Sequence, residues 1–131
     1  GKTPTRGKTP KRSSSPLRVC SGLQALSATF KGVTFFSNLG GTYPNNLLCS
    51  WRIISPIGTR VKIAFTSFNT EASFDYVTVF DGVDSYATVL FYEAGYMEPR
   101  AVETTGNAAF VTFRSDADII NEGFIATAYA V

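Results

Sequence analysis

Glu71 and Asp75 are the side chains best placed for chemistry: two carboxylates just before and at the start of the run Tyr76-Val77-Thr78-Val79-Phe80, which closes in Asp81-Gly82. The run is β-branched and aromatic and its end is a strong turn signal, so a strand holds the two acids still on its approach loop. Acidic groups on loops fixed by a sheet can converge on one ligand. A second pair, Asp116 and Asp118, follows Ser115. Its spacing allows an acid and base pair in principle, but two acids two apart on a surface loop are far more often solvated or metal-bound. The chain has no histidine, which removes the commonest general base and the commonest transition-metal ligand together. No serine stands in a nucleophile turn. The residues therefore argue against catalysis.

The elements that must carry these groups read as strands: Gln24 to Phe30, Val33 to Phe36, Leu47 to Ile54, Thr59 to Phe68, Asp75 to Phe80, Tyr86 to Tyr92, Ala108 to Ser115 and Gly123 to Val131. Turn signals separate them, among them Lys31-Gly32, Asn38 to Asn46, Ser55-Pro56-Ile57-Gly58, Gly106-Asn107 and Asn121-Glu122-Gly123. Val61, Ile63 and Phe65 alternate with Lys62, Ala64 and Thr66, the pattern of a strand with one face buried. No segment has a helical period. About eight short strands without helices predict an all-β fold, two antiparallel sheets packed as a β-sandwich.

A chain of 131 residues, 44% hydrophobic with 11 phenylalanines, has material for one well-buried core. No apolar run approaches the roughly 18 residues of a membrane helix, so no membrane insertion is expected. The sequence opens on glycine without an apolar leader, and any signal peptide is expected to have been removed or never to have existed. Cys20 and Cys49 are the only cysteines, and composition alone leaves two buried thiols and a single bridge both open.

Charge divides the chain. Six of the 12 basic groups, Lys2, Arg6, Lys8, Lys11, Arg12 and Arg18, lie in residues 1–18 with no acid, a local +6. The other six face all 10 acids, a local −4. Residues 1–18 also contain the near repeat Gly-Lys-Thr-Pro-Thr-Arg, Gly-Lys-Thr-Pro-Lys-Arg. Such a composition predicts a basic arm, partly polyproline II, joined to a domain over 19–131. A solvated linker is the plainest role for it, and docking on acidic partners, another copy included, is the sharper one.

From Cys20 onward the order of motifs resembles the CUB domain family. The resemblance rests on Cys20-Ser-Gly, Tyr43-Pro44-Asn45-Asn46, Cys49-Ser-Trp51-Arg-Ile53, Pro56-Ile-Gly58, Phe65-Thr-Ser-Phe68, Glu71, Asp75-Tyr76-Val77-Thr-Val79, Asp81-Gly82, Phe113-Arg-Ser115-Asp116 and Gly123-Phe124-Ile-Ala126-Thr-Ala-Tyr129. It implies a secreted, extracellular β-sandwich of jelly-roll type and a disulfide between Cys20 and Cys49. The family's second bridge is absent, its positions falling on Phe74 and Ala94, two apolar residues expected to fill similar space. For the family's calcium-binding subset the resemblance implies Glu71, Asp75 and Asp116 as ligands; Asp118, which follows, is expected to join them as a metal residue, and Ile119 stands where asparagine is common. Calcium takes six to eight hard oxygens, which carboxylates from two loops with carbonyls and water supply.

The resulting expectation is a non-catalytic extracellular module for protein contact, self-associating head-to-tail through the basic arm as a structural or adhesive subunit. Lys2, Arg6, Lys8, Lys11 and Arg12 are the expected donors of that contact, and Tyr76 beside Asp75 is an expected acceptor surface. A monomeric calcium-dependent receptor or matrix module is the alternative, and binding of a heparin-like polyanion by the arm a third. The acidic body and the expected compartment exclude nucleic acid as a partner.

Overall fold

The computed structural model describes residues 18–131. Lys2, Arg6, Lys8, Lys11 and Arg12, and the expectations attached to them, lie outside the described residues.

Nine strands form, with no helix among the described residues: β1 Gly22–Ser27, β2 Val33–Phe36, β3 Leu48–Ile54, β4 Val61–Asn69, β5 Tyr76–Phe80, β6 Val89–Glu93, β7 Arg100–Glu103, β8 Ala108–Arg114 and β9 Gly123–Ala130. They build a four-stranded sheet in the order β2-β9-β4-β7 and a five-stranded sheet in the order β1-β3-β8-β5-β6. Apolar side chains from both inner faces meet between them. Trp51 and Phe124 stand edge to face with centroids 5.6 Å apart, Phe65 stacks on Phe91 at 4.6 Å, and Val77, Val79, Val111 and Phe113 close the other side. Aromatic pairs in these arrangements add to the area they bury.

The alternation read in β4 holds, since Val61, Ile63 and Phe65 are buried and Lys62, Ala64 and Thr66 are less so. Its phase then slips. Ala126 pairs with Phe65 while Ile125 pairs with Ser67, a bulge that turns Phe68 inward as well.

Three expectations change. The pair β1–β3 is parallel, with Gly22 opposite Cys49 and Ser27 opposite Ile54, while every other pair of strands is antiparallel. The strand expected over Tyr86 to Tyr92 begins only at Val89, because Asp84 caps a turn by accepting from the Tyr86 amide and leaves Tyr86 on the surface. Finally, β7 had no signal in the sequence. It is a four-residue edge strand whose order comes from pairing with β4.

Cys20 and Cys49 are bonded, with Cα atoms 5.9 Å apart. Phe74 does not fill core space in place of a second bridge, for 59% of its surface is exposed.

Candidate metal centre

The strand directions bring three loops to one end of the sandwich. Here lie the start of β5, the end of β8 and the start of β9, since Tyr76 pairs with Arg114 and Gly123 with Asn69. Glu71 and Asp75 come from the β4–β5 loop and Asp116 from the β8–β9 loop, and one oxygen of each lies within 4.8 Å of the others. The sequence separation of Glu71 and Asp116 is thus erased by sheet pairing.

Asp75 is the fully buried member. Its Oδ2 accepts from the Tyr43 hydroxyl at 2.6 Å and its Oδ1 from the Asp116 amide at 3.0 Å. Tyr43, itself fully buried, in turn accepts from the Glu71 amide at 3.0 Å. Burial, and then the bond to Asp75, pushes the Tyr43 hydroxyl far above its ordinary range, so it stays a donor at any physiological pH. The Thr70 hydroxyl donates to the Asp75 carbonyl at 2.7 Å and accepts from the Gly95 amide at 3.0 Å. Both ends of the loop are therefore tied down by bonds between buried groups, which are worth most where water cannot compete.

Glu71 is different. Only 9% of it is exposed, yet its Oε1 is buried and has no hydrogen-bond partner. Burial first, then the charges of Asp116 and Asp75, hold its carboxyl above the ordinary carboxylate range. A buried, unpaired carboxylate oxygen facing two other carboxylates is costly by itself and is relieved by a cation. The donor set is all hard oxygen, which suits calcium or magnesium and not a thiolate-seeking metal.

Asp118 departs from the expectation. Its carboxylate does not join the three, and what it contributes is an amide that donates to Asp116 Oδ1 at 3.1 Å, together with a charge near Glu71. Ile119 follows with φ at 40°, in the left-handed region, and 59% exposed. A β-branched residue there is strained by crowding at Cβ. Replacing the mostly exposed Ile119 with asparagine loses little packing, and we expect the thermal midpoint to rise, with a gain of about 0.5–1 kcal/mol.

Tyr76 lies on the outer face of the five-stranded sheet beside this end, stacked on Tyr92 with centroids 4.1 Å apart and planes 3° from parallel. Tyr43 was not among the expected site residues. The motif around it was visible, but nothing in sequence tells that its hydroxyl reaches Asp75, 32 positions away.

Comparison with known proteins converges on one family. The family model described as CUB domain matches residues 20–128. Tolloid-like protein 2 of Mus musculus is 36% identical over 98 residues, covering 72% of this chain and 10% of the relative. The exoskeleton protein RP43 of Riftia pachyptila is 34% identical over 94 residues, 68% of this chain and 22% of the relative. The chain thus spans about a tenth to a fifth of the length of these relatives. Among solved structures, the MASP-1 CUB2 domain bound to Ca2+ superposes with a TM-score of 0.69 at 25% identity, covering 85% of this chain and all of that one. The full extracellular region of zebrafish Gpr126/Adgrg6 superposes with a TM-score of 0.73 at 26% identity, over 86% of this chain and 15% of that one.

Proposed function

The chain belongs to the CUB domain family, and from that premise we propose that it is a non-catalytic extracellular module for protein contact whose acid end is held in shape by calcium. The observation that carries this reading is the buried Oε1 of Glu71, unpartnered among Asp75 and Asp116. Glu71, Asp75 and Asp116 would hold the ion, and Asp118 would orient Asp116 from behind. Calcium would neutralise the three carboxylates and stiffen their loops, so that Tyr76 and the loop surfaces meet a partner in a fixed arrangement. The likeness to a calcium-bound CUB domain supports the same assignment.

Calorimetric titration of calcium into the metal-free chain tests it. Binding is expected in the parent and loss of at least tenfold in affinity, about 1.4 kcal/mol or more, in Glu71→Gln. Absence of calcium heat in the parent would sink the reading. The pH dependence has a definite sign. Because the Glu71 carboxyl titrates above its ordinary value of about 4.3, charging it opposes folding of the metal-free chain. The contribution of Glu71 to the stability of that chain is therefore greatest below the ordinary carboxylate range and falls as pH rises through the raised pKa. Calcium needs the charged form, so its affinity is expected to rise with pH across the same window.

A finer reading concerns the arm. Residues 1–18 carry +6 and the remainder −4, which supports arm-mediated association of copies head-to-tail. Light scattering of the full chain against residues 19–131 separates this from a monomeric receptor or matrix module, for which both would scatter as monomers. Capture on heparin that disappears with the arm and weakens steeply with salt would favour the polyanion reading instead.

A further inference from the structure

Among the described residues four strands border the two sheets, and three of them are guarded against further pairing. β2 and β7 are four residues long, and β7 carries a charge at each end, Arg100 and Glu103. β6 meets β5 with a shifted register at Val79 and Phe80 and ends on Glu93. Short length, charge and bulges are the devices that keep a sheet edge from recruiting another strand. β1 has none of them. It is six residues of Gly-Leu-Gln-Ala-Leu-Ser, without charge or proline, and its register with β3 runs unbroken from Gly22 opposite Cys49 to Ser27 opposite Ile54. Leu23 is 53% exposed, and the Gln24 side chain is held by accepting from Trp51 Nε1 at 3.1 Å. One bond fixes which backbone groups of β1 are free. The Ala28 amide donates to the Ile54 carbonyl at 2.8 Å. Successive residues of a strand turn their amide and carbonyl to opposite sides, so Ala28, Leu26 and Gln24 face β3 while Leu23, Ala25 and Ser27 face the open edge.

We propose that β1 is a dimerisation edge: two copies of this chain pair their β1 strands antiparallel about a two-fold axis through Ala25, which joins their two five-stranded sheets into one continuous sheet.

The edge complements itself. With Ala25 opposite Ala25 of the second copy, Leu23 falls opposite Ser27 and Ser27 opposite Leu23, so every residue that faces the edge exchanges both of its backbone bonds. A two-fold through Gln24 would instead set Ser27 against Ser21, which lies outside the strand. The small Ala25 side chains let the outer faces meet without a clash. On the inner face, Leu26 of the second copy arrives opposite Gln24, beside a cavity of about 120 Å³ between β1 and β2 that Gln24, Leu26 and Phe35 line. Covering it removes apolar surface from water. Charge permits the approach. Arg52, the neighbour of Ala25 on β3, donates to the Val83 carbonyl of its own chain. The Arg52 residues of the two copies would stand three strand spacings apart, about 14 Å, beyond the screening length of about 10 Å at 0.1 M salt. Such a two-fold contact closes at two copies, whereas head-to-tail association through the arm adds further copies and weakens with salt.

Amide exchange of the full chain tests the pairing residue by residue, with the molar mass followed by sedimentation. One strand edge buries little surface, so the association is weak and is read from about 10 µM to about 1 mM protein. Salt of about 0.5 M screens contacts made by the arm. The Gln24 and Leu26 amides are expected to be protected at every concentration. Those of Leu23, Ala25 and Ser27 are expected to exchange fast in dilute solution and to slow at least fivefold as the mass doubles. Fast exchange at these three up to about 1 mM overturns the proposal. So does protection that is already complete at the lowest concentration, which would mean that the chain covers its own edge, and so does a mass that grows past two copies while these amides stay unprotected. Ala25 is exposed, so substitutions there are expected to leave the fold intact. Ala25→Lys sets like charges opposite one another and is expected to weaken dimerisation about fivefold at 0.1 M salt. Mixing it with Ala25→Glu is expected to restore the dimer with one copy of each. A mixture that associates no more tightly than either variant alone overturns the pairing about Ala25.

Discussion

Asp75→Ala is expected to lower the unfolding free energy of the metal-free chain by about 3–5 kcal/mol and to abolish calcium binding. The size follows from what the carboxylate satisfies. It accepts from the Tyr43 hydroxyl and the Asp116 amide, and neither Asp75 nor Tyr43 is exposed to water that could substitute. Bonds to a charged group contribute about 1.5–3 kcal/mol each, and the alanine variant leaves the buried Tyr43 hydroxyl and the part-buried Asp116 amide unpaired. Urea unfolding at neutral pH reads the loss. Asp81 provides the contrast: it too accepts two bonds, from the amide and hydroxyl of Thr105, but in an exposed setting. Asp81→Ala is expected to cost only about 1 kcal/mol. If the two variants lost the same amount, Asp75 would not be the pillar of this end, and the network joining Tyr43, Glu71 and Asp116 would carry little.

That network also marks where sequence reasoning stops. Glu71 and Asp75 are legible because a β-branched, aromatic strand follows them and ends in Asp81-Gly82. The alternation of Val61, Ile63 and Phe65 is legible because each second side chain must leave water. Resemblance to a family adds Asp116. What is not legible is set by distant pairing. Arg100–Glu103 has no strong strand preference and becomes β7 only because β4 offers an edge. Gly-Leu-Gln-Ala-Leu-Ser reads as a strand of either direction, so the parallel pairing of β1 had no local sign. Had β1 run antiparallel to β3, its first residues would lie at the opposite end from the acids. The backbone at Ile119 likewise follows from closing the β8–β9 loop, and no propensity predicts isoleucine there.

Removing the disulfide by Cys20→Ala with Cys49→Ala is expected to have two separable effects. The first is on stability. The bond closes 29 residues, for which the chain-entropy relation gives about 3.5 kcal/mol, or a fall of roughly 10–15 °C in Tm for a domain of this size. Both sulfurs are buried, so small cavities add to the loss. This part resides mainly in the unfolded chain and is expected to be nearly independent of salt. The second effect is local. Without the bond, the start of β1 and Val19 are held by pairing with β3, by the bridge to Asn38 and by the hydrogen bonds of Cys20 with Ser37 and of Arg18 with Leu39, and this segment is expected to fray first. Amide exchange at Val19 to Gln24, measured well below the lowered Tm, is expected to speed up relative to the core strands. A variant that lost the stability yet kept the parent exchange here would show that β1 pairing alone holds the segment, and would leave the disulfide a purely structural clamp.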